Sequence, residues 1–370
     1  MSRSAPPAPQ IPRPARAVTG LWPTVLAALL RGEDLPAPLT EQVMDEIVSD
    51  RATPAQIAAF AVLLRAKGET AGEIAGLVAS LMRNAAPVLL PGAAVDIVGT
   101  GGDGADTVNI STMAALVVAG TGRRVIKHGA RSSSSACGAA DVLEELGVRI
   151  DLRADEVART VAACGIGFCF APAFQPGLRH TAVPRRQIGV PTVFNLLGPL
   201  INPARPPASL VGCADLAKAP LLAQVFADRG VTALVVRGDD GLDELTTTTT
   251  STMWIAGDSR VEQLHIDPAV LGVPPAPVGA LRGGDQVHNA SVVRHVLAGE
   301  RGPVRNAALI NAAAAIVAHD VANRPLSPAA ILGALPEALD LAARSIDSGA
   351  AARTLQNWIQ AGAADERSST

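Results

Sequence analysis

Apolar and polar positions between residues 21 and 85 recur at helical spacing. Ile74, Leu77 and Leu81 fall at i, i+3 and i+7, which lays one apolar stripe along a helix. Thr70-Ala71-Gly72-Glu73 stands before that stripe as a capping box. Thr53-Pro54-Ala55-Gln56 forms a second box, with Pro at N1, ahead of the apolar run 57–64. Gly68 is placed to end that helix, and residues 39–48 carry a third helical pattern. Residues 21–92 therefore read as an all-helical unit. The pattern changes at Pro91-Gly92. Val95-Asp96-Ile97-Val98 predicts a short buried strand, followed by a glycine-rich turn and an apolar helix over 113–119. Arg124-Val125-Ile126 predicts a second strand, followed by a polar loop and a helix near 139–146. Residues 168–170 and 233–236 read as further strands, and 307–318 and 329–359 as mostly helical. Strands alternating with helices predict an α/β chain. A small all-helical N-terminal domain is followed by a larger α/β domain with a mostly parallel central sheet. Residues 190–207, rich in Pro, Asn and Gly, read as a loop excursion, and the threonine run 246–250 as a β-prone strand or loop.

Composition narrows the function classes. Of 370 residues, 48% are hydrophobic and 18% charged, which excludes a mainly disordered chain. The net charge of −3 argues against a nucleic-acid binder that relies on a broad cationic surface. With no Tyr and 2% aromatics, base-stacking platforms are not expected. No apolar stretch reaches the 18 or so residues of a membrane span. Residues 1–20 read as a solvated Pro/Arg-rich tail without a secretory apolar region, and 363–370 as a second tail. Cys137, Cys164, Cys169 and Cys213 form no CxxC pair, so buried thiols in a reducing cytoplasm are expected. The only lysines are Lys67, Lys127 and Lys218.

Three turns carry candidate chemistry. Gly99-Thr100-Gly101-Gly102-Asp103-Gly104 is followed by Asn109-Ile110-Ser111-Thr112. It matches G-x-G-x-x-G, but the next strand ends in Lys127-His128 rather than in the acid a dinucleotide ribose needs. No Gly-Lys-Ser/Thr follows to make a Walker loop. What remains is a backbone that can approach a ligand closely, with helix N–H groups facing an anion; the alternative is a merely structural tight turn. The second turn, Lys127-His128-Gly129-Ala130-Arg131 and the serines 132–135, adds two cations and a row of hydroxyls as a second anion cradle, or else is a solvated basic turn. The third, Asp239-Asp240-Gly241-Leu242-Asp243-Glu244, holds four carboxylates in six residues. It does not follow the EF-hand pattern, and reads either as a Mg²⁺ site bridging to substrate phosphates or as an exposed acidic turn. Two anion cradles and an acidic cluster at strand ends suggest a sugar diphosphate with magnesium, whose natural reaction is departure of diphosphate from the anomeric carbon. No Ser-His-Asp or Cys-His set is evident, and no residue is assigned as a catalytic acid or base.

GTGGDGADTVNIST, KHG-x-R-SSSS, RRQIGVPTVFNLLGPLINPAR and GDDGLDELTTTTT together resemble the anthranilate phosphoribosyltransferase family over residues 21–362. The resemblance implies a helical domain over 21–92 joined by 190–207, an α/β domain over 93–189 and 208–362, and a homodimer formed through the helical part. It implies transfer of phosphoribose from 5-phosphoribosyl 1-diphosphate (PRPP) to the amine of anthranilate, a step of tryptophan biosynthesis, with two Mg²⁺ ions. Carried over by motif, Gly99, Gly102, Asp103, Thr107, Asn109, Ser111, Thr112, Lys127, Arg131 and Ser135 are expected at PRPP. Gly99, His128, Ala130 and Arg185 are expected at the acceptor, and Ser111, Asp243 and Glu244 at the metal. The family motif reads K-H-G-N-R where this chain has Ala130. Ala139 stands where a Ser often contacts PRPP, and Pro184 precedes Arg185. Gln175 and Leu178 lie in the stretch lining the acceptor tunnel. The departures gather on the acceptor side, so a substituted aminobenzoate is the alternative acceptor. A pyrimidine nucleoside phosphorylase and a non-catalytic PRPP-binding dimer are further readings, which the acidic pair and the intact donor motifs disfavour.

Overall fold

The computed structural model describes residues 20–90, 92–132, 136–322, 324 and 327–368. The expected N-terminal tail (apart from residue 20) and Ser135 lie outside them. Four helices come first: α1 (Leu21–Leu30), α2 (Ala37–Val48), α3 (Pro54–Lys67) and α4 (Ala71–Asn84). Both capping boxes form. Gln56 N donates to Thr53 Oγ1 at 3.3 Å and Thr53 N to Gln56 Oε1 at 2.8 Å. Glu73 N donates to Thr70 Oγ1 at 3.2 Å and Thr70 N to Glu73 Oε2 at 2.8 Å. Gly68 ends α3 at φ 93. Glu73 also accepts from Leu35 N at 2.9 Å, so one buried carboxylate caps α4 and fixes the α1–α2 connection.

The sheet has seven strands: β1 (Val95–Gly99), β2 (Val125–Gly129), β3 (Ile166–Phe170), β4 (Ala208–Gly212), β5 (Thr232–Gly238), β6 (Ser251–Gly257) and β7 (Arg260–Ile266). Their order is β3-β2-β1-β4-β5-β6-β7. The first five are parallel, and β6 and β7 close one side as an antiparallel hairpin. The intervening and following helices are α5 (Ile110–Gly120), α6 (Ala139–Glu145), α7 (Ala154–Cys164), α8 (Ala171–Phe174), α9 (Ala182–Ile188), α10 (Ala219–Asp228), α11 (Gln286–Leu297), α12 (Pro303–Asp320), α13 (Pro328–Asp347) and α14 (Ala350–Ser368). Helix α14 runs past residue 362, where the second tail was expected to begin.

Alternate strand positions face two cores, as a sheet covered on both sides requires. Val95, Ile97, Leu210 and Leu234 pack with α5 and α12. Val98, Val211, Val235 and Trp254 pack with Phe60, Leu77, Val193, Phe194 and Leu197. The helical unit and residues 193–201 thus share a core with one sheet face. All three lysines are tied into the molecule. Lys67 meets Asp34 at 2.6 Å and Glu73 at 3.0 Å with 5% of its side chain exposed. Lys218 meets Glu69 with 9% exposed, and Lys127 is 2% exposed.

Candidate active site

In a parallel sheet every strand delivers its following turn to the same rim, so the turns after β1, β2 and β5 are neighbours here. The closest approach involves two glycines. A Cβ on Gly99 would lie 2.3 Å from Asp243 Oδ2, and one on Gly212 only 1.6 Å from the Asp243 carbonyl oxygen. Both strand ends must therefore lack side chains for the acidic turn to seat. Gly101 N then donates to Asp243 Oδ2 at 2.7 Å. Gly101, Gly102 and Gly104 sit at φ 65, 83 and 69, in the region that favours glycine. Gly212 escaped the sequence reading because β4 is only five residues long and follows a Pro-rich stretch.

Of the four clustered carboxylates, the fold separates two from two. Asp240 accepts from Thr246 Oγ1 at 2.7 Å, from Leu242 N at 3.2 Å and from Thr248. Asp239 accepts from Thr252 at 3.3 Å and from Thr250. These two fasten the threonine run, which is loop until β6 begins at Ser251. Asp243 and Glu244 point elsewhere. Loss of hydration and the neighbouring Asp103 push Asp243 up to about 6, and loss of hydration and Asp243 push Glu244 well above the usual carboxylate range. Lys127 lies among them, donating from Nζ to Ile97 O at 2.5 Å and to Ser111 Oγ at 3.1 Å. Burial lowers its pKa against the pull of Asp96, Glu244 and Asp243. The Ser111 backbone N–H supports Glu244. Ser111, Lys127, Asp103, Asp243 and Glu244 are thus brought together.

Oxygen donors with surplus negative charge suit a hard divalent cation. The carboxylates and the Ser111 hydroxyl fit Mg²⁺ held through one or two carboxylates, with substrate phosphates completing the shell. Asn311 of α12, not singled out from sequence, braces this turn: its Oδ1 accepts from Leu245 N at 3.0 Å and its Nδ2 donates to Leu245 O at 2.9 Å.

The second turn is organised by another unanticipated residue. Asp141 Oδ2 accepts from Ser132 N at 3.0 Å and Gly138 N at 2.8 Å, closing the loop over the start of α6. Arg131 is not directed at the other cradle residues. Its guanidinium pairs with Glu144 and with Asp141 at 3.2 Å, lies 5.8 Å from the Phe170 ring centroid, and is 52% exposed. Helix α6 thus supplies the partners of the arginine in this structure. Asn109 is committed too: Nδ2 donates to Cys137 O at 3.2 Å, and Oδ1 accepts from Asn289 Nδ2 at 2.9 Å. It ties the first turn to the second. Thr107 bridges to Arg282, and Thr112 Oγ1 is buried with no hydrogen-bond partner among the described residues.

On the acceptor side, His128 donates from Nδ1 to Gly198 O at 3.0 Å, leaving Nε2 buried and unpartnered. Burial, with Lys127 assisting and Gly198 opposing, brings its pKa down to about 4. Ala130 is exposed. Gln175 is buried, its amide donating to Leu81 O at 3.2 Å. Arg185, on α9 against α3, is half-buried, and its guanidinium has no hydrogen bond or ion pair among the described residues; burial lowers its pKa.

His128 has a pH consequence. A base depressed on folding contributes stability above its unfolded pKa of 6.5 that is lost as pH falls toward about 4. Asp96, pushed up to about 6 by burial, acts with opposite sign in the same window, so comparison with a variant is needed. Between pH 6.5 and 4, wild type should lose on the order of 3 kcal/mol more stability than His128→Gln. Urea titrations at the two pH values check this, and parallel losses in the two proteins refute it.

The helical unit, the α/β domain and the rim turns fall in the glycosyltransferase class that the family models describe. The chain matches the glycosyl transferase family, helical bundle domain, over residues 23–85 and the glycosyl transferase family, a/b domain, over 91–352. It is 55% identical over 340 residues to an anthranilate phosphoribosyltransferase of Nocardioides, covering 92% of this chain and 98% of the relative. It is 56% identical over 343 residues to one of Acidothermus cellulolyticus, covering 93% and 96%. The structure of the Thermus thermophilus anthranilate phosphoribosyltransferase superposes with a TM-score of 0.83 at 34% identity, covering 91% of this chain and 98% of that one. The Saccharomyces cerevisiae enzyme in complex with PRPP and Mg superposes at 0.82 with 26% identity, covering 93% and 98%. The chain belongs to the anthranilate phosphoribosyltransferase family. No helix among the described residues is long and apolar enough to cross a membrane.

Proposed function

We propose that this chain transfers the phosphoribosyl group of PRPP to the amine of anthranilate and releases diphosphate, the second step from chorismate toward tryptophan, in the cytoplasm. The observation that carries this reading is the seating of Asp243 against the glycine strand ends, with Glu244 next to it and Lys127 bonded to Ser111 in the field of both carboxylates. Such a rim grips phosphoryl groups and their counter-ions at once. Asp243, Glu244 and Ser111 would hold two magnesium ions, which when bound neutralise charge growing on the leaving diphosphate. Gly99, Gly102, Asp103, Thr107, Ser111, Thr112 and Lys127 line the donor side. Asn109 supports them by joining the two turns.

Arg185 meets the acceptor carboxylate, beside His128, Ala130 and Gly99. As the amine lone pair forms the bond to C1, the C1–O bond breaks and its electron pair departs with diphosphate. The surplus amine proton passes to solvent. An aromatic amine is unprotonated at neutral pH, so no strong base is needed.

The exposed Ala130 methyl, where the family motif carries Asn, favours one second reading: the same donor with a substituted aminobenzoate. Diphosphate release from PRPP and Mg²⁺ across a panel of aminobenzoates tests both. Ala130→Asn should lower KM about tenfold if anthranilate is native; a gain for anthranilate with a loss for a better acceptor supports the second reading. No release on any acceptor refutes both. Exposed Leu30, Val62 and Val183 on α1, α3 and α9 support a homodimer through the helical side, which sedimentation equilibrium tests.

A further inference from the structure

The parallel ladder between β1 and β2 stops after one pair. Val95 opposes Val125 and Val95 N donates to Arg124 O at 3.0 Å, whereas the flanking β1–β4 and β2–β3 ladders each run for five pairs. A regular parallel continuation would join Ile97 N to Ile126 O and His128 N to Ile97 O. Three of those four backbone groups are instead bonded to side chains. His128 N donates to Asp96 Oδ1 at 3.0 Å. Ile126 O accepts from Asn202 Nδ2 at 2.9 Å. Ile97 O accepts from Lys127 Nζ.

Asn202 also donates to Asp96 Oδ2 at 2.8 Å and accepts from Ala204 N at 3.0 Å through Oδ1. Asn202 is 5% exposed and Asp96 fully buried. No side-chain polar atom of either is left unsatisfied, as buried polar groups require. The segment that carries Asn202 is rooted elsewhere: Val193, Phe194 and Leu197 lie in the core built with the helical unit, and Gly198 O holds the His128 ring.

We propose that Asn202, with Asp96, is a positioning pair that wedges β2 from β1 and so sets Lys127 on the donor site, making donor affinity depend on how the helical unit seats residues 193–202. The inference rests on the PRPP reading above. Closing the gap to a regular ladder would return Ile97 O to His128 N. The Lys127 ammonium would then lose its backbone acceptor and its line to Ser111.

The test is calorimetry of PRPP with millimolar Mg²⁺ on the full chain, wild type against Asn202→Leu, which keeps volume and removes the wedge's hydrogen bonds. PRPP affinity should fall at least about tenfold. Leu335→Ala, a buried α13 position not among the residues placed at the site, supplies a destabilised control that should keep PRPP affinity. Hydrogen exchange at the His128 amide should quicken in Asn202→Leu and not in the control. If Asn202→Leu does not fold, Asp96→Asn decides: it places two amide donors face to face and should weaken PRPP equally. Wild-type affinity in either folded variant, or an equal loss in Leu335→Ala, overturns the inference. Failure of wild type itself to bind PRPP overturns the functional reading instead.

Discussion

Asp243→Asn with Glu244→Gln is expected to cut phosphoribosyl transfer by at least about a thousandfold, because charge on a departing diphosphate is then unneutralised. The substitutions are nearly isosteric, so the glycine-lined seat survives and the loss is one of charge. A second readout separates this from misfolding. In chelator the variant should melt above wild type. Burial, with Asp103 beside Asp243 and Asp243 beside Glu244, holds both carboxyls above their usual range, which marks them as groups the folded protein keeps at a loss when nothing neutralises them. Retained activity removes the metal assignment. Lost activity with a lowered melting point shows instead that the pair is structural.

The other large effect is at Arg185. Arg185→Gln should raise the KM for the aromatic acid by about 10- to 100-fold, the cost of losing one charge-assisted hydrogen-bonded contact, and leave the PRPP KM within about twofold. Its guanidinium has no counter-ion among the described residues, so removal breaks no ion pair there, and the melting temperature should hold or rise. Steady-state kinetics with each substrate varied in turn checks the split. An equal rise in both constants places Arg185 outside the acceptor site.

Much of this arrangement is legible in the amino-acid string wherever local chemistry decides. Two capping boxes, the stripe Ile74-Leu77-Leu81 and the strands at 95–98 and 124–126 all depend on near neighbours, and all form. The motif turns are legible because glycine, lysine and paired acids have few other uses at a strand end. What escapes is set by distant partners. Strand β4 is five residues between a Pro-rich stretch and Cys213, and only β1 and β5 on either side make it a strand. β7 alternates with exposed Arg260, Glu262 and Gln263 and is specified by its hairpin partner. Arg131 pairs with Glu144, thirteen residues on, and nothing near it signals that. Asn202, Asn311 and Asp141 are read as loop or helix residues until the strands they serve are in place. Asp96 looks like a polar interruption of an apolar strand, which was a signal in itself: a lone acid at a central position demands a donor from somewhere.

The three lysines carry a practical corollary. Each ε-amine is screened from bulk water by an ion pair or by the strands around it. Acylating reagents such as succinimidyl esters should leave lysine side chains almost unmodified in the native protein. Native-state trypsin should cut after arginine. Any slow acylation at Lys127, read by peptide mass mapping, must come through the same opening that admits the donor, so PRPP should suppress it; labelling indifferent to PRPP would mean the amine is reached by another route.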